Sequence, residues 1–432
     1  MDSTRPAGPT LPSTLRGVWT LLFGIGLLWM ANGLQNSLLG IRAEAEGFEP
    51  TVIGLIMSGF FVGLLAGSLW TPRAVRIVGH VRVFAAMAAV ASVSILLHAL
   101  FVDELGWWII RCITGFCYAG IIVVVESWLN DRSPRAVRGQ VLALYMAISF
   151  GAAAGSQLLL NLASAEEAAL FMLVSILISL AVVPLLLHAT TPPPIESSGR
   201  VSLRELAAAS PLGVFGMFAA GLANGTVFGM GAVYARDAGF SIADTALFVA
   251  LLTIGAAAVQ WPVGRLSDRF GRRRIMVAMA VMATCASVIA SGIEDMDAIG
   301  TVVLVTVTGG LVLSIHSLSL AYTNDHLEPE QMIGASGGLL LLLGVGSVIG
   351  PIVAGAAIAL LGSAGYFLWL ALIHATFALF ALWRASRRAA PEPSADLQAP
   401  YVVTPFQATD IATTFAETAD AAAETVPDGT HR

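Results

Sequence analysis

Glu126 and Arg111 are the two residues whose chemistry packing alone explains least, because each stands within one long apolar run. Ionisable groups inside such runs are costly to hold and are functional suspects by default. Glu126, in Val-Val-Val-Glu126-Ser-Trp, lies five residues inward of Asp131, more than one helical turn from the end of its run. A carboxyl at that depth can take up and release a proton as its surroundings change. The bland alternative is an acid at a helix end, paired with a loop arginine. Arg111 follows Trp107-Trp108 by about one turn, near the other end of the run, where its charge could instead snorkel to the interface. The two are 15 residues apart. At 1.5 Å per residue that is about 22 Å along a helix, too far for a direct ion pair.

A second group is polar without being charged. Trp29, Asn32 and Asn36 share one helix face by their i, i+3, i+7 spacing, with Gln35 beside that stripe. Asn224 occupies the matching place later in the chain, and this polar rim is a candidate for contacting a small solute. The competing reading is hydrogen bonding between helices. Gln157, Gln260, Trp261 and His316 are weaker candidates, and His98 and His374 are expected to pack near helix ends. Cys112, Cys117 and Cys285 lie in apolar runs with no ligand spacing, so they read as small packing residues. No His-Glu-x-x-His cluster or lone Ser/His/Asp set marks an enzyme, and a chain without lysine has no Gly-x-x-x-x-Gly-Lys nucleotide loop. No cofactor, no metal and no nucleic-acid partner is expected.

The elements that must hold these residues follow from composition. Of 432 residues, 57% are hydrophobic and 12% charged, against about 25% charged in a typical soluble protein. The charges gather in short clusters between apolar runs long enough to cross a hydrocarbon core of roughly 30 Å as helices. Continuous apolar runs exclude barrel strands, which would alternate. Spans are expected near 17–41, 51–71, 83–102, 107–129, 139–162, 167–189, 211–234, 243–263, 275–293, 299–322, 332–361 and 365–385. All 22 basic residues are arginine. If the N-terminus is cytoplasmic, nineteen fall on that side, two (Arg42 and Arg236) fall opposite, and Arg111 lies within a span. The positive-inside bias therefore places both termini in the cytoplasm. The first run, Val18 to Leu39, is too long for a cleavable signal.

The expected organisation is a cytoplasmic segment 1–16, a six-helix bundle 17–189, a linker 190–210, a second bundle 211–388 and a tail 389–432. Thr-Pro-Pro-Pro and Ser-Ser-Gly-Arg prevent the linker from spanning. The tail after Ala390 holds seven acids against one arginine, accounts for the whole net charge of −6, and reads as disordered. The two bundles are duplicates. Ala31-Asn32-Gly33 recurs as Ala223-Asn224-Gly225, Gly47-Phe48 as Gly239-Phe240, and Gly79 as Gly271, each 192 positions later. Asn130-Asp131 recurs as Asn324-Asp325, and Gly151 and Gly155 match Gly346 and Gly350, with offsets of 194 and 195. Two such halves, related by an axis along the membrane normal, place a solute site between them near midplane. The fold class expected is an all-α membrane protein of twelve transmembrane helices in two pseudo-symmetric six-helix bundles.

Over roughly residues 15–388 the sequence resembles the major facilitator superfamily. Gly264-Arg-Leu-Ser-Asp-Arg-Phe-Gly-Arg-Arg-Arg274 is nearly a complete copy of that family's signature loop, and Arg111-x-x-x-Gly115 is similar to a weaker motif. Gln260-Trp-Pro-Val-Gly-Arg and the segment around Glu126 are similar to an uncharacterised bacterial branch. The resemblance implies a latch in which the loop Asp and the Arg four residues later meet an acid on a neighbouring span. The matching positions are Asp268, Arg272 and Asp325, with Arg269 beside them; the alternative is that these arginines only anchor topology. In the first-half copy Arg76 stands where the family has Asp, and His80 replaces the following Arg. A simpler latch, Arg76 paired with Asp131, is expected there. The resemblance also implies a role for Arg111 in proton coupling or substrate charge recognition.

The expected function is secondary active transport of a small organic solute by alternating access, coupled to protons, in the bacterial inner membrane, by a monomer. Few cavity charges suggest a neutral, zwitterionic or amphiphilic solute over a polyanion. Uncoupled facilitation, multidrug or metabolite export, and a transporter-fold sensor or scaffold remain open. The drug-antiporter branch has a Gly-Pro motif on span five, and Gly155-Ser156 departs from it.

Overall fold

The computed structural model describes residues 10–187, 201–292 and 298–387. The tail expected to be disordered and the Pro-rich start of the linker lie outside the described residues. In the first half the apolar runs form α1 (Leu11–Ala45), α2 (Pro50–Val78), α3 (His80–Leu100), α4 (Glu104–Arg132), α5 (Arg138–Gly155) and α6 (Ala168–Leu187). After a short α7 (Leu203–Ala209) come α8 (Pro211–Asp237), α9 (Ile242–Phe270), α10 (Arg272–Ala290), α11 (Ala298–Leu313), α12 (Ile315–Asn324), α13 (Pro329–Leu361) and α14 (Ala364–Arg387).

Among the described residues eleven helices are long and apolar enough to cross a membrane, and α6 is a further apolar helix where the sequence places a span. α5 continues as a 3-10 turn, Ser156–Leu162, and α11 and α12 form one span interrupted at Ser314. The helices overrun the apolar windows: α1 has 35 residues, because a helix need not stop where hydrocarbon does. α7 carries a capping box in which Ser202 and Glu205 satisfy each other's backbone donors. With seven residues it cannot span.

Helix packing repeats between the halves. α2 packs on α4 as α9 packs on α11; α1 on α5 as α8 on α13; α3 on α6 as α10 on α14. Contacts between the halves also come in repeat-related pairs, α2 with α13 and α5 with α9, while α1 meets its own counterpart α8. That pattern is what a two-fold axis between α1 and α8 produces.

Inter-half packing is tight toward the end away from the arginine-rich loops. Gly54 of α2 lies against the Pro351 carbonyl of α13, and Gly355 against the Pro50 carbonyl, so a Cβ at either position would collide with backbone. At the opposite end, two sharp turns join α2 to α3 and α9 to α10. They rest on Gly79 (φ +86) and Gly271 (φ +88), a left-handed geometry that favours glycine.

Candidate functional site

Between α1, α4 and α5 lies a small, partly open pocket lined by Ile25, Leu28, Trp29, Tyr118, Ile121, Ile122, Val125 and Tyr145. Helical spacing brings these together. On α1 the stripe Ile25, Trp29, Asn32, Asn36 runs along one face; on α4 Arg111, Tyr118 and Val125 recur every seventh residue. The pocket sits nearer the arginine-loop end, and the two stripes carry polar residues, Asn32, Asn36 and Arg111, past its opposite end.

At the arginine-loop end is Glu126, only 2% exposed. The Tyr145 hydroxyl donates to Glu126 Oε1 at 2.9 Å, and Trp29 lines the pocket together with Tyr145. That bond joins α5 to α4 at the pocket wall, where α1 contributes Trp29. Tyr145 and Tyr118 escaped the sequence reading. Their signal was available only as aromatic residues with a polar tip inside apolar runs, and that type usually packs.

At the other end Arg111 is buried, and it does not reach the interface as a snorkelling residue would. The reason is local. Gly59 on α2 brings that helix against the Trp108 carbonyl and the Arg111 Cβ, and the side chain then points inward toward α1. Arg111 Nη2 donates to Asn36 Oδ1 at 2.9 Å, Asn36 Nδ2 donates to Asn32 Oδ1 at 3.1 Å, and the guanidinium carbon lies 4.7 Å from the Phe60 ring centroid. Arg111 and Glu126 thus bound the pocket region from opposite ends without meeting.

The remaining candidates separate. Gln157 is engaged in joining helices: its Oε1 accepts from Ser37 at 2.7 Å and its Nε2 donates to the Gly33 carbonyl at 3.2 Å. Gln35, Asn224, Gln260 and His316 are buried. Among the described residues neither side-chain polar atom of Gln35 has a hydrogen-bond partner, and His316 Nε2 has none. Trp261 is exposed on the outer surface with Arg265 over its ring, away from the residues that line this pocket. His374 bonds the Leu370 and Val312 carbonyls, and His98 bonds the Ser94 carbonyl and packs edge-on to Trp107.

The loop motif gathers on one side chain. Arg272 contacts Asp325 Oδ2 through Nε at 3.2 Å and Asp268 Oδ1 through Nη2 at 3.4 Å. The first is an ion pair by distance, without the alignment of a hydrogen bond. The Asp325 side chain is 4% exposed and that of Asp268 49%, so Asp325 is the partner with less competition from water. Arg269 takes no part; it is exposed above Phe270.

The first half departs from the expected Arg76–Asp131 latch. Both residues are exposed, and no ion pair joins them among the described residues. Arg76 belongs to the last turn of α2 and points outward. The place related by repeat to Arg272 is taken by His80, just after the Gly79 turn. Its Nε2 lies 3.3 Å from Ser127 Oγ, its ring stacks at 5.9 Å on Trp128, and the Asp131 charge acts on it electrostatically.

Comparison with known proteins identifies the family and the fold. A family model described as Major Facilitator Superfamily matches residues 21–288 and 213–418. The chain is 26% identical over 341 residues to the uncharacterized MFS-type transporter YcaD of Escherichia fergusonii, covering 78% of this chain and 87% of the relative. The same relative in Escherichia coli matches at 26% over 338 residues, with the same coverage. Among solved structures, the fold is similar to the nucleoside transporter NupG (TM-score 0.70, 14% identity, 87% of this chain and 100% of that one). It is also similar to a bacterial homolog of the human lysosomal transporter Spinster (TM-score 0.69, 13% identity, 95% and 99%). With a duplicated helical fold, a pocket walled by α1 and α4, and a match across both halves, the chain belongs to the major facilitator superfamily and is a multi-pass membrane transporter rather than an enzyme.

Proposed function

We propose that the protein is a secondary active transporter that moves a small organic solute by alternating access and couples that movement to protons through Glu126. The observation that carries the coupling is the Tyr145–Glu126 hydrogen bond: a buried carboxyl accepting from a residue that lines the pocket. A solute entering the pocket would displace or reorient Tyr145 and so change what stabilises the carboxylate. Protonation and solute occupancy are then linked by one hydrogen bond. Arg111 holds the far end. Arg272 with Asp268 and Asp325 serves as a conformational latch, and the distribution of arginines supports both termini facing the cytoplasm of a bacterial inner membrane, with the monomer as the working unit.

The tight α2–α13 and α5–α9 contacts support closure at the periplasmic end, with the pocket nearer the cytoplasm. The test is a solute-library screen for proton movement in proteoliposomes, using a pH-sensitive dye. A solute that drives proton flux in wild type but not in Glu126→Gln, while Glu126→Gln retains solute counterflow, supports coupling at this residue. Flux unchanged by Glu126→Gln sinks it and favours a different proton site. Counterflow with no proton movement in either protein makes the chain a facilitator.

A further inference from the structure

The donation pattern around Arg111 identifies the kind of ligand this pocket accepts. Arginine has only donors, so Asn36 must offer it Oδ1 and turn Nδ2 toward Asn32. Asn32 must then offer Oδ1, which leaves its own Nδ2 outermost. The amide orientations are thus forced by chemistry rather than chosen. The result is a row of unused donors: Arg111 Nε and Nη1 and Asn32 Nδ2 are all buried with no hydrogen-bond partner among the described residues, as is the Tyr118 hydroxyl at the pocket wall.

The charge is equally unbalanced. Arg111 is 1% exposed and forms no ion pair among the described residues. The repeat-related position in the second half is apolar Val305, 194 residues on, so this is a single positive charge contributed by one half. A buried, unpaired guanidinium is costly, and its planar fork of donors matches a carboxylate. The adjoining pocket wall is otherwise aliphatic and aromatic.

We infer that Arg111, Asn32 and Tyr118 form a head-group site for a monocarboxylate whose apolar body lies in the pocket beside Ile25, Leu28, Trp29 and Ile122. This rests on the reading of the pocket as the transported solute's site and narrows it to amphiphilic monoanions. One cation and an apolar wall disfavour polyanions and sugars alike.

The experiment uses purified full-length protein and melting curves with sodium benzoate and sodium 3-phenylpropionate against benzamide and 3-phenylpropionamide, with sodium chloride holding ionic strength equal. The carboxylates should raise the melting temperature saturably by a few degrees, as ligands of the native state do, and the amides should not. Arg111→Met should melt no lower than wild type without ligand and lose the response. Asn32→Ala, which keeps the charge, should weaken apparent affinity several-fold. Equal stabilisation by the amides, no stabilisation by either carboxylate, or an undiminished response in Arg111→Met overturns the assignment. A neutral solute that drives proton flux in the library screen overturns it too, yet leaves the transport reading standing. The reverse result, carboxylate-specific stabilisation with no solute flux, would remove transport and keep the site.

Discussion

Glu44 and Arg236 occupy the same place in the two repeats, 192 residues apart, and they face each other across the interface at 3.5 Å. A contact between repeat-equivalent positions can arise only close to the axis that relates the halves. α1 and α8 therefore meet along that axis, and the pair ties them at the end away from the arginine loops. Both side chains are partly exposed, so the contact acts as one small weight on the conformational balance.

Breaking that pair should loosen closure slightly. Glu44→Gln or Arg236→Gln is expected to cost about 0.5 kcal/mol, as partly exposed pairs do. That is roughly a twofold change in the ratio of the two states. Cysteine accessibility at positions flanking Gly47 and Gly239, read with a membrane-impermeant reagent, should rise modestly. The charge-swapped double variant should restore it.

Arg272 is the opposite case. Removing Asp325 leaves a buried guanidinium with only the half-exposed Asp268, and breaking a buried pair typically costs about 3–5 kcal/mol. Asp325→Asn should lower the melting temperature sharply, and Asp268→Asn much less. Similar effects for the two would mean that the contact through Nε at 3.2 Å is not the dominant one.

On the first-half side the dependence should shift from arginine to histidine. Arg76 is exposed and joins no ion pair among the described residues, so Arg76→Glu should leave stability within about 0.5 kcal/mol of wild type. His80→Ala removes the stacking on Trp128 and the contact with Ser127, and it should disturb both expression and melting temperature. The reverse ranking in a melting series would restore Arg76 as the latch residue.

The two glycine-rich helices should differ just as clearly. Gly350 of α13 lies against the Leu222 carbonyl of α8, and Gly346 against the Phe218 carbonyl, whereas Gly151 and Gly155 of α5 have nothing nearby. Gly350→Val should abolish folded protein in a fluorescence size-exclusion assay. Gly151→Ala should be neutral or stabilise by up to about 1 kcal/mol through helix propensity. The repeat matched these glycines by position, but only one pair packs.

Tyr145 offers the finest separation of coupling from binding. Tyr145→Phe keeps the ring on the pocket wall and deletes the hydroxyl that reaches Glu126. A lost hydrogen bond is worth about 0.5–1.5 kcal/mol, and about 1.5–3 when the acceptor is ionised. The variant should therefore reduce the protons moved per solute in the dye assay while counterflow persists. Loss of counterflow together with the proton movement it drives would place Tyr145 in solute binding instead.

Much of this architecture is written along the chain itself. Hydrocarbon admits backbone only as satisfied helices, so apolar length announced the spans; the near-constant offset announced the two halves; and Gly264 to Arg274 with Asp325 marked the residues that gather on Arg272. Those features depend on local order, and the sequence records local order directly. What tertiary structure decided was which side of each helix meets which neighbour. Gln157 became a brace between α5 and α1, Trp261 turned outward, and His80 rather than Arg76 came to lie by Ser127 and Trp128. Tyr145 reached Glu126 across 19 residues. Asn36 and Arg111, 75 residues apart, met because Gly59 let α2 and α4 close until only an inward path was left for the guanidinium. Spacing places residues on a face, and only the packing of the other helices decides what that face touches.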